Sequence, residues 1–162
     1  MKLFRISLLL CAFLSGSLSV LSKDCETYDR DYIVEGAGNA SQGNYLVKVT
    51  VSSNNKNLDD SELVTAAVHG VIFRGFVITD NNHTQKPMSS NAQDEVRHLD
   101  FYCNFFSKDG TASTFGDIIP GTRQVLKSGK KYKISATANV RKESLRKYLT
   151  DAGVIKNLNS IF

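Results

Sequence analysis

The chain has 162 residues and a formal net charge of +4 at pH 7. That length suits one ordinary domain with enough chain to bury a sizeable core. So mild a basic excess falls short of the clustered field a nucleic-acid binder carries, so nucleic acid is not an expected partner.

The N-terminus opens Met1-Lys2-Leu3-Phe4-Arg5, and Ile6 to Leu21 follows without a charge. A basic start, an apolar middle and small residues at Ser17, Ser19 and Ser22 predict a cleavable export signal over residues 1–22. The apolar run is shorter than the roughly 20 residues of a spanning helix, which argues against a retained anchor. Neither Cys11, inside the run, nor Cys25, after Asp24, stands where a lipoprotein signal needs its cysteine. The expected mature chain is exported to the periplasm or beyond the cell and has no transmembrane segment. Removing the signal also removes Lys2 and Arg5, which leaves the charge near neutral. It leaves Cys25 and Cys103 as an even pair in an oxidising compartment. They are a candidate disulfide; the alternative is that Cys103 is a buried free thiol.

Residues 23–31 are charged and polar, a flexible arm. A single domain is expected over 32–156, with a tail at 157–162. Tyr32 to Gly36 reads as a strand, and Gly36, Gly38 and Gly43 supply turns. Tyr45, Val47, Val49 and Val51 alternate with Lys48 and Thr50, the period of a half-buried strand. Asp59 with Glu62 resembles a capping box. The helix it opens, Leu63 to Phe73, is apolar on nearly every side, which calls for cover on more than one side. Arg74-Gly75 ends it. Phe76 to Ile78 is a short strand, and Thr79 to Ser90 is the expected mobile surface loop.

Asn91 to Ser107 reads as one helix, with Ala92, Val96, Leu99, Cys103 and Phe106 on one stripe. After a second loop, Arg123 to Leu126 is a strand and Ser128-Gly129 a hairpin turn. Lys131 to Arg141 alternates most cleanly: Tyr132, Ile134, Ala136, Ala138 and Val140 point one way, and Lys131, Lys133 and Arg141 the other. Lys142 to Ala152 is a short amphipathic helix. The order β-β-α-(β)-α-β-β-α predicts an α+β fold: an antiparallel sheet from two hairpins, with about three helices on one face. Turn, strand and helix recur from Gly43 to Ile72 and from Gly129 to Ile155, as two hairpin-plus-helix units would.

Catalytic spacing is thin. Among His69, His83 and His98 no two fall four apart on one helix, and neither HExxH nor GxSxG occurs. His69, in the most apolar helix, reads first as a satisfied structural histidine. A small exported hydrolase using His69 or His98 with a nearby acid is the alternative. Asp94 and Glu95 read as a solvated face. Nothing calls for a metal or a cofactor. The glycines from Gly36 to Gly43 lack the lysine and following helix of a phosphate loop. What stands out is basic: Lys127, Lys130, Lys131, Lys133, Arg141, Lys142, Arg146 and Lys147 crowd the last hairpin and helix. Lys131, Lys133 and Arg141 on one strand face could meet an unidentified envelope protein or an acidic surface. Solubility and edge protection would use such lysines too.

Gly38 to Val49, Ala67 to Phe76 and Leu145 to Lys156 resemble a group of short exported bacterial proteins with no assigned function. The resemblance covers about residues 32–156. It implies a bacterial, export-linked setting and brings no activity or site residue with it. The hairpin-helix order is also similar to small envelope modules that assist assembly of larger machines, an analogy of fold order alone. The expected function is therefore a non-catalytic binding or assembly module of the envelope.

Overall fold

The computed structural model describes residues 28, 31–78, 83–91 and 93–156. The expected signal, Cys25 and the 157–162 tail lie outside the described residues.

Strands β1 (Tyr32–Gly36) and β2 (Tyr45–Ser53) form the first hairpin. Strands β6 (Gln124–Ser128) and β7 (Lys131–Val140) form the other, around a turn at Gly129 and Lys130. The hairpins join through β2 and β7, antiparallel from Tyr45↔Val140 to Ser53↔Tyr132. The register puts Val47, Val49, Val51, Ile134, Ala136, Ala138 and Val140 on one face, all buried. Lys48, Lys131 and Lys133 emerge on the other. The fold is α+β, as the pattern predicts.

Helix α1 (Asp60–Phe73) lies against the buried face. Asp59 and Glu62 make its capping box, with the Asp59 amide donating to Glu62 Oε2 at 3.2 Å. Every residue from Leu63 to Ile72 is buried. The sheet covers one side. The other is covered by helix α3 (Leu99–Phe106), whose Tyr102 ring meets Phe73 at 4.9 Å. At Gly70 the helix comes so close to β1 that an added Cβ would stand 2.5 Å from Val34 Cγ2. The helix ends at Gly75, where φ is +67° and the amide donates to the Gly70 carbonyl at 2.9 Å. An added Cβ there would lie 2.3 Å from the Gln85 carbonyl oxygen. Helix α4 (Lys142–Asp151) buries Leu145 and Leu149 in the same core.

Three expectations need correction. The sheet is mixed, not wholly antiparallel. Strand β3 (Phe76–Ile78) runs parallel to β1, because α1 carries the chain back over the sheet before β3 begins. Gly36 permits the contact; a Cβ there would sit 2.9 Å from the Ile78 Cα. The loop expected from Thr79 to Ser90 is partly a strand, β4 (His83–Gln85), paired with β3. Its end is pinned inside: Met88 and Ser89 are buried, and their amides donate to the Val71 and Ile72 carbonyls at 3.2 and 2.9 Å. The helix expected from Asn91 to Ser107 is broken at His98, whose ψ of 37° is not helical. A four-residue helix α2 (Asp94–Arg97) precedes the break. The break rotates one half against the other, so Val96 is 63% exposed and Tyr102 and Phe105 take the buried positions.

One edge of the sheet is divided. Strand β5 (Gly116–Ile118) pairs with the end of β7, and β6 pairs with its beginning. Between them the chain bulges at Pro120-Gly121, held by Ile119 N–H to the Thr137 carbonyl at 2.8 Å and Thr137 N–H to Thr122 Oγ1 at 3.0 Å. Among the described residues, no helix is long and apolar enough to cross a membrane.

Candidate functional site

Two features carry unusual chemistry: a buried polar chain through α1, and the lysine-bearing hairpin at the sheet edge.

His69 is 4% exposed and needs a partner for each ring nitrogen. Its Nδ1 meets the Tyr32 hydroxyl on β1, and its Nε2 meets Glu95 Oε1 on α2 at 3.2 Å. One assignment satisfies every group. Tyr32 donates its hydroxyl hydrogen to Nδ1, and Nε2–H donates to the carboxylate. Burial pushes the Tyr32 hydroxyl well above the usual phenol range, although Arg74 opposes it, so the phenol keeps its proton to donate. Burial alone would raise the Glu95 carboxyl. The His69 hydrogen bond, the Tyr28 amide and the positive charge of Arg74 together outweigh it and hold the group below its ordinary value.

Aromatic rings close the site. Tyr28, Phe73 and Phe106 stand 4.9, 5.0 and 4.9 Å from the imidazole, centre to centre. Arg74 lies over the Tyr32 ring at 3.9 Å, donating to the Tyr32 carbonyl at 2.7 Å. The Tyr28 amide donates to Glu95 Oε1 at 3.2 Å. The structure thus brings His69 together with an acid, as the hydrolase alternative requires. The pair is largely shielded, however: the Glu95 side chain is 16% exposed and that of His69 is 5% exposed. The hydroxyl in reach is a protonated phenol, a poor nucleophile. The arrangement ties β1, α1 and α2 into one hydrogen-bonded unit. His98 instead lines a cleft with Ser90, Asp94, Arg97 and Lys156.

The pattern in the chain misplaced Glu95, which is half-buried against His69 and not on a fully solvated face. Helical periodicity fails over a segment as short as α2, where Val96 faces out and Glu95 faces in. Tyr32 carries no signal beyond its place in a strand.

At the sheet edge, all five residues of β6 are exposed. From Gln124 to Lys133 the hairpin carries Lys127, Lys130, Lys131 and Lys133 and no acidic residue. All four are exposed, and none is in an ion pair among the described residues. Arg141 does not join them. It stands at the far end of β7, about 30 Å from Lys131 at strand rise. There it pairs with Asp117 on β5 and donates to the Thr114 carbonyl at 2.9 Å. The base of the hairpin is anchored: Arg123 pairs with Asp60 at 2.7 Å and bonds the Leu58 carbonyl. Cys103 is half-buried on α3, and Cys25 lies outside the described residues.

No family model matches the chain, nor does any curated protein or solved structure.

The depressed Glu95 carboxyl has a consequence with a definite sign. Its stabilisation is fully present above the ordinary glutamate value of about 4.3. It is lost as pH falls through the lower folded-state value. Glu95→Gln should lower the unfolding free energy at neutral pH by about 1 kcal/mol or more. It should also flatten the acid limb of a plot of urea stability against pH. Parallel acid limbs for the two proteins would contradict this placement of the charge.

Proposed function

We propose that this protein is an exported, non-catalytic binding module of the cell envelope that engages an acidic partner through its β6–β7 hairpin. One observation carries the reading: four exposed lysines, with no acid among them, on an edge hairpin anchored to the core. Lysines that only guard a sheet edge stand on the edge strand itself. Here Lys127 alone does, while Lys130 occupies the turn and Lys131 and Lys133 stand on β7. The cluster is a field that raises encounter rates with an acidic surface. Arg141, committed to Asp117, is left out of this contact. Burial of His69, with Glu95 half-buried beside it, favours binding over hydrolysis.

The test is crosslinked recovery of partners from the native envelope, compared with a Lys127→Glu, Lys131→Glu, Lys133→Glu variant. Recovery should fall roughly tenfold or more while the circular dichroism stays unchanged, and binding should weaken with salt. Equal recovery with the variant would refute the hairpin as the contact.

We further propose that Cys25 and Cys103 are bridged. Tyr28, three residues after Cys25, packs on Phe106 at 5.6 Å, and Phe106 lies one helical turn from Cys103. Three residues of chain reach about 10 Å. Such a bridge would hold the N-terminal segment over His69. Mass spectrometry of the secreted protein should gain two hydrogens on reduction; an unchanged mass would rule the bridge out.

A further inference from the structure

Which way β6 points its backbone groups decides what the hairpin can hold. Thr137 turns both its N–H and its C=O toward the β5–β6 side of β7. Backbone direction alternates along a strand, so Ser135, Lys133 and Lys131 turn the same way. Their partners Gln124, Leu126 and Ser128 are therefore the β6 residues bonded to β7. Val125 and Lys127 present their N–H and C=O groups outward. Among the described residues no strand pairs with that outer edge.

We propose that this edge accepts an extended acidic segment of a partner protein as an added strand. The proposal rests on the hairpin reading above and specifies the partner's form. Strand addition supplies main-chain hydrogen bonds for affinity and alternate side chains for specificity. Both are provided for. The outward amides and carbonyls of Val125 and Lys127 supply the bonds. Val125, 43% exposed, and Leu126, 64% exposed, offer apolar contact on opposite faces of the sheet. Lys127 would adjoin the added strand directly. Lys131 and Lys133 lie one strand further, about 10 Å away at sheet spacing and within a Debye length.

Charge selects the occupant. A second copy of this chain would bring two sets of four lysines together, and like charges across paired strands are destabilising. An acidic segment gains from the same field.

The probe is a fluorescent peptide of alternating glutamate and valine, titrated against the protein. A matched peptide is methylated on alternate backbone nitrogens, which keeps its charge and side chains but removes donors. The unmodified peptide should bind, and the methylated one should bind about tenfold or more weakly. Val125→Pro, which removes an outward N–H and leaves the bonds to β7, should weaken the unmodified peptide to a similar degree. If that variant fails to fold, the methylated peptide alone decides. Equal binding of the two peptides would overturn strand addition and leave the cationic hairpin standing. No binding of either peptide, with charge-dependent recovery of an envelope partner intact, would also overturn it. A dimer of the protein that Val125→Pro dissolves would overturn the acidic occupant.

Discussion

The structure depends on burying α1 from two sides. Ten consecutive residues, Leu63 to Ile72, are removed from water, and no single sheet face can do that for a helix. The sheet supplies one cover. The aromatic residues of α3, Tyr102, Phe105 and Phe106, supply the other. Each aromatic side chain buries a large area and adds to it by edge and stacked contacts. Gly70 is the position at which the helix drops onto β1, and Gly75 turns the chain sharply enough to begin β3 at once. The parallel β1–β3 pair follows from that turn.

Burying α1 also buries His69, whose two ring nitrogens both need partners. The fold meets this with Tyr32 from β1 and Glu95 from α2, and aromatic rings pack around the imidazole. A polar chain that is fully satisfied rigidifies the elements it joins. The same three residue types in an open cleft would suggest acid–base chemistry. Here the low exposure and the protonated phenol turn them into a structural tie. Among the described residues the helices lie on one face of the sheet, and Lys48, Lys131 and Lys133 on the opposite face and Lys127 on the β6 edge are exposed.

Much of the fold was legible in the chain. Period-two alternation marked β2 and β7, and their cross-pairing follows from two hairpin-plus-helix units meeting edge to edge. The capping box at Asp59 and the stop at Gly75 marked α1 at both ends. The break at His98 was hidden because its surroundings read as helix from Asn91 to Ser107. Only tertiary packing of Tyr102 and Phe105 sets the register after it. For the same reason Glu95 looked solvated. The lysine cluster was visible as composition, but Arg141 was separated from it by Asp117, a strand neighbour that no local pattern announces. The β4 pairing within the expected loop depends on β3, a three-residue strand with little period of its own.

A core locked around α1 and a β6 edge open to a partner would leave different marks in amide hydrogen exchange on the free protein. Exchange should be slowest in α1 and should alternate along β6, with Leu126 and Ser128 protected and Val125 and Lys127 exchanging fast. Uniform protection along β6 would mean that its outer edge is already occupied, and would rule out an open edge.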